Sequence, residues 1–135
     1  MLLVATNISS YKLGNELLDK EHEMFFFLTN YLKMAALSGK THQMQINIAH
    51  EIQKYVQFHF FSEENYMEEI GFPNLQEHCA LHTILLTDLG ERIYKLVSNQ
   101  LNCKELVLFL DECFLHHTLQ EDSKIINYQL QLQLY

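Results

Sequence analysis

Apolar residues recur every three to four positions through four stretches of the chain, and turn-forming residues separate them. The first stretch begins near Asn15 or Asp19 and ends at Ser38-Gly39, with Leu18, His22, Phe25, Thr29, Leu32 and Ala36 on one face. Gly39 suits a C-cap, and Thr41 suits an N-cap for the next helix. That second helix is expected from about Thr41 to Glu69, with stripe Ile48, Ile52, Val56, His59, Glu63 and Met67, and Gly71 and Pro73 end it. Asn74 opens a third helix, with Glu77 three residues later as in a capping box. Its stripe is Leu75, His78, His82, Leu85, Leu89, Ile93 and Leu96. A fourth helix starts at Asn102, with Glu105 three residues on and stripe Leu106, Phe109, Leu110, Cys113 and His117. It fades after Lys124. The closing QLQLQLY alternates apolar and polar residues, which leaves a short strand-like segment and a packed C-terminal arm both open.

The connections are short, so sequential helices should run antiparallel. The expectation is an all-α, up-down-up-down four-helix bundle in a single domain, residues 1–135: an irregular N-terminal arm (1–15), the bundle (16–127) and a C-terminal tail (128–135).

Composition agrees with a packed helical protein and removes several functions. Of the 135 residues, 48% are hydrophobic, with one Pro and four Gly, which argues against disorder. The net charge is −8 and no Lys/Arg cluster is visible, so nucleic acid and anionic membranes are poor partners. No apolar run approaches the ~20 residues of a membrane span. MLLVATNISS has no basic start and too short an apolar run for a signal peptide, so a cytoplasmic protein is expected. Cys79, Cys103 and Cys113 lie in helical patterns and read as free thiols.

The candidate chemistry lies inside the apolar stripes. Each helix has a polar group where Leu is expected: His22, His59 with Glu63, His78 with His82, and His117. A buried histidine costs a few kcal/mol unless it is hydrogen-bonded or bound. Residues four apart on a helix share a face, so each of the two pairs can turn both groups to one centre. All four helices contributing at one level points to a metal site. Five imidazoles and a carboxylate are too many donors for one zinc, which takes four, and calcium and magnesium prefer oxygen. No HEXXH or CxxCH motif occurs, and no histidine has Glu three residues before it, as carboxylate-rich di-iron bundles require. A histidine-rich di-iron centre remains.

These segments resemble the hemerythrins, in particular the single-domain bacterial members. The matching motifs are Leu18-Asp19-Lys20-Glu21-His22, His59-Phe60-Phe61-Ser62-Glu63-Glu64, His78-Cys79-Ala80-Leu81-His82 and His117-Thr118-Leu119-Gln120-Glu121-Asp122, with Met67 and Gly71-Phe72-Pro73 between the second and third. They span about residues 8–128, and their order and distances make the likeness specific. The resemblance implies two non-haem iron ions with a bridging oxo or hydroxo group. It places His78, His82 and His117 on one iron, His22 and His59 on the other, and Glu63 and Asp122 across both. Periodicity alone does not choose Asp122. In an ideal α-helix it lies about 140° from His117, whereas Glu121 lies only about 40° away.

If both irons are roughly octahedral, they offer about twelve positions. The bridges and five histidines leave one position open, on the iron of His22 and His59. The function implied is reversible dioxygen binding for storage, transport or delivery, without enzymatic activity. Oxygen, redox or nitric-oxide sensing through a partner protein, or a di-iron peroxidase or reductase activity, is the alternative. Phe25, Phe26, Phe60 and Phe114 are candidates to wall the open position. Phe114 stands where the family commonly has Trp, and the Trp expected near residues 8–10 is absent. His42, His50 and His116 read as surface or locally bonded residues, and Glu64, Glu68 and Glu69 as a solvated face. Asp19 either bonds a ligand imidazole or caps the helix.

Overall fold

Four helices follow one another with short turns between them, in the computed structural model that describes residues 13–133. Most of the expected N-terminal arm, residues 1–12, and the last two residues lie outside the described residues. α1 is Glu16–Leu37, α2 is His42–Ile70 and α3 is Leu75–Val97. α4 covers 103–133 in four parts: an α-helical start Cys103–Phe109, π-helical turns at Leu110–Phe114 and His117–Asp122, and an α-helical end Ser123–Gln133. α1 packs on α2 and α4, and α3 also packs on α2 and α4, so the four close into one antiparallel bundle. No strand occurs among the described residues.

The caps fix where the helices start and stop. Asn15 accepts the Leu18 N–H at 3.0 Å, Thr41 accepts the Met44 N–H at 3.2 Å, and Asn102 accepts the Glu105 N–H at 2.8 Å. The Asp19 carboxylate accepts the Leu13 and Gly14 N–H groups, so it ties down the chain entering α1. α2 ends at Gly71 in the left-handed region (φ 68°), where Phe72 N–H returns to the Met67 carbonyl at 2.9 Å. The capping box expected at Asn74 does not form. Asn74 sits at φ −101°, ψ 31° rather than in the extended conformation an N-cap needs, and its side chain makes no cap bond.

Two further expectations change in α4. The tail is neither strand-like nor an arm: the helix continues to Gln133, and Gln129 accepts hydrogen bonds from Asn15 and Tyr66. The π turns also shift the buried face. A turn closed by i→i+5 bonds takes in an extra residue, so Phe114 faces the core while Cys113 is only half-buried.

The bundle interior has three levels. The main apolar core includes Leu32, Ile52, Leu89, Leu106 and Leu110, each fully buried and contributing roughly 1.5–3 kcal/mol. A smaller cluster of Met67, Phe72 and Ile125 closes the end near the α2–α3 turn. Between them lies a polar layer of histidines and carboxylates.

Candidate metal centre

Five histidines and two carboxylates meet in this layer, and all seven are buried: His22, His59, Glu63, His78, His82, His117 and Asp122. His59 with Glu63, and His78 with His82, project from single faces of α2 and α3 at the four-residue spacing. His117 and Asp122 begin and end a π turn of α4. Closing with i→i+5 bonds, such a turn takes in an extra residue and brings the fifth residue round towards the starting face. Asp122 therefore points inward, while Glu121 pairs with Lys124 at 3.1 Å on the outside.

The carboxylates divide the imidazoles into two groups. Glu63 Oε1 lies 2.8 Å from His78 Nε2 and 2.9 Å from His82 Nε2. Its Oε2 faces His59 Nε2 at 3.5 Å and His22 Nε2 at 3.7 Å. Asp122 repeats the pattern: Oδ1 is 3.0 Å from both His78 Nε2 and His117 Nε2, and Oδ2 is 3.0 Å from His22 Nε2. Each carboxylate thus turns one oxygen to a three-histidine group and the other to a two-histidine group.

Two ring nitrogens are fixed from outside. His59 Nδ1 donates to Glu21 Oε1 at 2.7 Å, and Ser62 Oγ donates to the other Glu21 oxygen at 2.9 Å. His82 Nδ1 donates to Glu64 Oε2 at 2.7 Å. A carboxylate on Nδ1–H leaves the Nε2 lone pair aimed at the centre, as in metal-bound histidines generally. Sequence reading missed both. Glu64 is not merely part of a solvated face. Glu21 is a buried carboxylate three residues from Leu18 and four from Phe25, a spacing that already placed it at the edge of the core stripe. His116, His42 and His50 are exposed, as expected.

The donor set fits positive charge at its centre. His82 Nε2 and His117 Nε2 lie only 3.1 Å apart, although imidazole nitrogens facing each other need a proton or a cation between them. Among the described residues, His22 Nε2, Glu63 Oε2 and both Asp122 oxygens are buried without a partner in hydrogen-bond geometry. With no metal, protons take up the role. Burial opposes charging these rings, but Asp122 and Glu63 outweigh it and raise His22 and His78 to about 9 and His117 to about 10. Burial would favour the neutral acid of Glu63, yet the surrounding imidazoles hold it well below the usual carboxylate range. Two groups of converging donors, Glu63-His78-His82-His117-Asp122 and His22-His59-Glu63-Asp122, could each hold a metal ion.

The two groups have different surroundings. Beside His22 and His59, and touching His117 and Asp122, lies a small cavity of about 10 Å³ walled by Phe25, Val56, Phe60 and Phe114, with Thr118 also on its lining. Phe26 does not line it; this side chain is buried in the main core. Beside His78 lies an open cleft of about 290 Å³ lined by Glu77, Glu121 and Lys124 among others.

A buried histidine–carboxylate cluster with two metal-holding groups, set between the helices of an antiparallel bundle, defines a hemerythrin-type protein. Comparison with known proteins agrees. The chain is 30% identical over 120 residues to a bacteriohemerythrin of Campylobacter jejuni subsp. jejuni, covering 86% of this chain and 88% of that protein. It is 25% identical over 123 residues to the bacteriohemerythrin of Clostridium acetobutylicum (87% and 95%), and 23% identical over 114 residues to that of Pseudomonas aeruginosa (84% and 74%). No family model and no solved structure matches. The chain belongs to the bacterial hemerythrin family.

Proposed function

We propose that the centre holds two iron ions and binds dioxygen reversibly, for storage, transport or delivery. His78, His82 and His117 would hold one ion, His22 and His59 the other, and Glu63 and Asp122 would span the pair. Held there, a pair of ferrous ions would provide the redox chemistry that reversible dioxygen binding needs.

The observation that carries this reading is the cavity of about 10 Å³ on the two-histidine side. A void of that size admits about one water-sized molecule. It lies where the donor set is one histidine short. Phe25, Phe60 and Phe114 keep bulk water and protons from this side, which favours retention of the ferrous state. Phe114 stacks with Phe25 at 4.9 Å between ring centroids, and Phe60 stacks on the His82 ring at 3.7 Å. Five of the seven donors are neutral, so the shell gives little stabilisation to iron oxidised beyond ferric and favours carriage over oxygen activation.

The test is an optical spectrum of the reduced protein before air, after air and after deoxygenation, together with iron analysis. A visible band that appears with air and disappears on deoxygenation, with two irons per chain, is expected. Rapid irreversible oxidation with turnover of added peroxide would replace carriage with catalysis or sensing. One metal or none per chain would remove the di-iron reading.

A further inference from the structure

α1 carries a second apolar face that the bundle does not use. Leu17 (57% exposed), Met24 (45%), Phe27 (60%), Tyr31 (50%) and Met34 (44%) project from its outer side. They fall seven, three, four and three residues apart, which are a and d positions of a heptad, and Lys20 occupies the d position between Leu17 and Met24. At about 100° per residue the six positions share an arc of roughly 100°. That arc lies nearly opposite the buried stripe of Leu18, His22, Phe25, Thr29 and Leu32. Neither closure of the bundle nor the metal centre accounts for this face. Contiguous exposed apolar surface of this kind marks an interaction site.

We propose that this face is the seam of an antiparallel homodimer, α1 against α1 of a second copy. Charge selects the direction. Glu16 and Glu23 flank the seam beside Lys20 in the first half of α1, whereas residues 24–37 contain no acid. An antiparallel pair sets the acidic half of each helix against the acid-free half of the other, and a parallel pair would stack the two acidic halves. The helix dipoles favour the same direction.

The side chains are self-complementary in that direction. With a positions packed on d positions, Leu17 of one copy meets Met34 of the other, Met24 meets Phe27, and Lys20 meets Tyr31. The charged residue of the seam therefore falls on an aromatic face, a favourable cation–π pairing. Each contact occurs twice about the two-fold axis, as closed dimers require. Phe27 and Tyr31, at roughly 150–250 Å² each and about half exposed, leave on the order of 200 Å² of aromatic surface per copy, to which Leu17, Met24 and Met34 add. With the flanking polar residues this reaches the lower range of specific interfaces, about 1,200 Å² in total. The dimer is accordingly concentration-dependent.

Sedimentation of the purified, iron-loaded full chain from roughly 1 to 200 µM brackets the affinity of a small interface. The mass should rise from 16.0 kDa towards twice that value. F27E should remain at the monomer mass throughout, with iron content and visible spectrum unchanged. L17C and M34C, each alone, should form no disulfide at the substituted position. An equimolar mixture of the two should give a 17–34 disulfide, located by peptide mapping. A chain that stays monomeric at the highest concentration, or an F27E variant that dimerises equally well, overturns the proposal. So does a 17–17 disulfide, which would mean parallel pairing. A monomer that floats with lipid vesicles would assign the face to a membrane surface and also overturn it.

Discussion

The two sides of the polar layer share the same two carboxylates yet differ in everything beyond them. On the His22–His59 side, the outer partner of His59 is Glu21, itself buried and held by Ser62, and the adjoining space is a small cavity walled by phenylalanine. His22 Nδ1 has no hydrogen-bond partner among the described residues. On the His78–His82–His117 side, the outer partner of His82 is the half-exposed Glu64, and His78 borders an open cleft edged with charged groups. One side is built to be dry and to leave room; the other is fully furnished with donors and opens towards water. The symmetry of the carboxylates therefore does not extend to the surroundings of the two groups. Among the described residues, the phenylalanine-walled space adjoins the two-histidine side, and the charged cleft adjoins His78.

The largest effect should come from breaking what the two sides share. In Glu63→Gln, five imidazoles lose a fully buried anion that faces both groups. Removing one partner of a buried ionic cluster costs about 3–5 kcal/mol. The variant should lose both irons and melt well below the parent, measured by metal analysis and calorimetry. The single-histidine variants then separate the sides. His59→Ala should abolish the oxygen-dependent band while retaining part of the iron, because it touches the two-histidine group alone. If His78→Ala removes the oxygen response and His59→Ala spares it, the assignment of sides is reversed.

How much of this contrast is legible in the sequence depends on the helix involved. The inward faces of α1, α2 and α3 keep a regular α-helical phase, so His22, His59, Glu63, His78 and His82 fall on the stripes that hydrophobic spacing picks out. α4 does not keep that phase. Its two π turns each take in an extra residue, which moves the core face from Cys113 to Phe114 and brings Asp122 round to His117. No local residue pattern announces a π turn, so only the family resemblance pointed to Asp122. The outer carboxylates are missed for other reasons: Glu64 beside Glu63 reads as solvated until α3 is in place, and Glu21, at the edge of the core stripe, has no visible partner until α2 brings His59 and Ser62 to it. The tail failed similarly, because alternating QLQLQL carries no helical period and its helix continues from α4 with Gln129 held by Asn15 and Tyr66.

A smaller effect follows from the proton occupancy of the iron-free centre. His22, His78 and His117 have folded values of about 9, 9 and 10, above the usual 6.5. Groups raised on folding contribute stability that is fully present below about pH 6.5 and is lost as pH rises through the folded values. The iron-free protein should therefore melt at progressively lower temperature between pH 6.5 and 10. The iron-loaded protein should not follow this trend over that range, since metal occupies the same nitrogens. Calorimetry of both forms across the range checks this, and a parallel decline in the two would mean that the histidines do not carry the pH dependence.

The smallest effects should come from the outer carboxylates, and they test the dry–wet contrast most directly. Glu21→Gln and Glu64→Gln keep shape and remove charge, so each weakens the grip on one ring nitrogen without emptying space. Outer partners of metal-bound histidines typically matter by about 10–100-fold in metal affinity. Glu21 is buried and doubly bonded, so its loss is not compensated by water and should fall in that range, with iron released first from the two-histidine group. Glu64 is half-exposed; a water can replace its contact to His82, so its loss should change iron dissociation by only a few-fold. Timed chelator competition on both variants measures the ratio. Equal losses would mean that burial of the outer partner does not distinguish the sides, and the asymmetry would then rest on the cavity and the missing histidine alone.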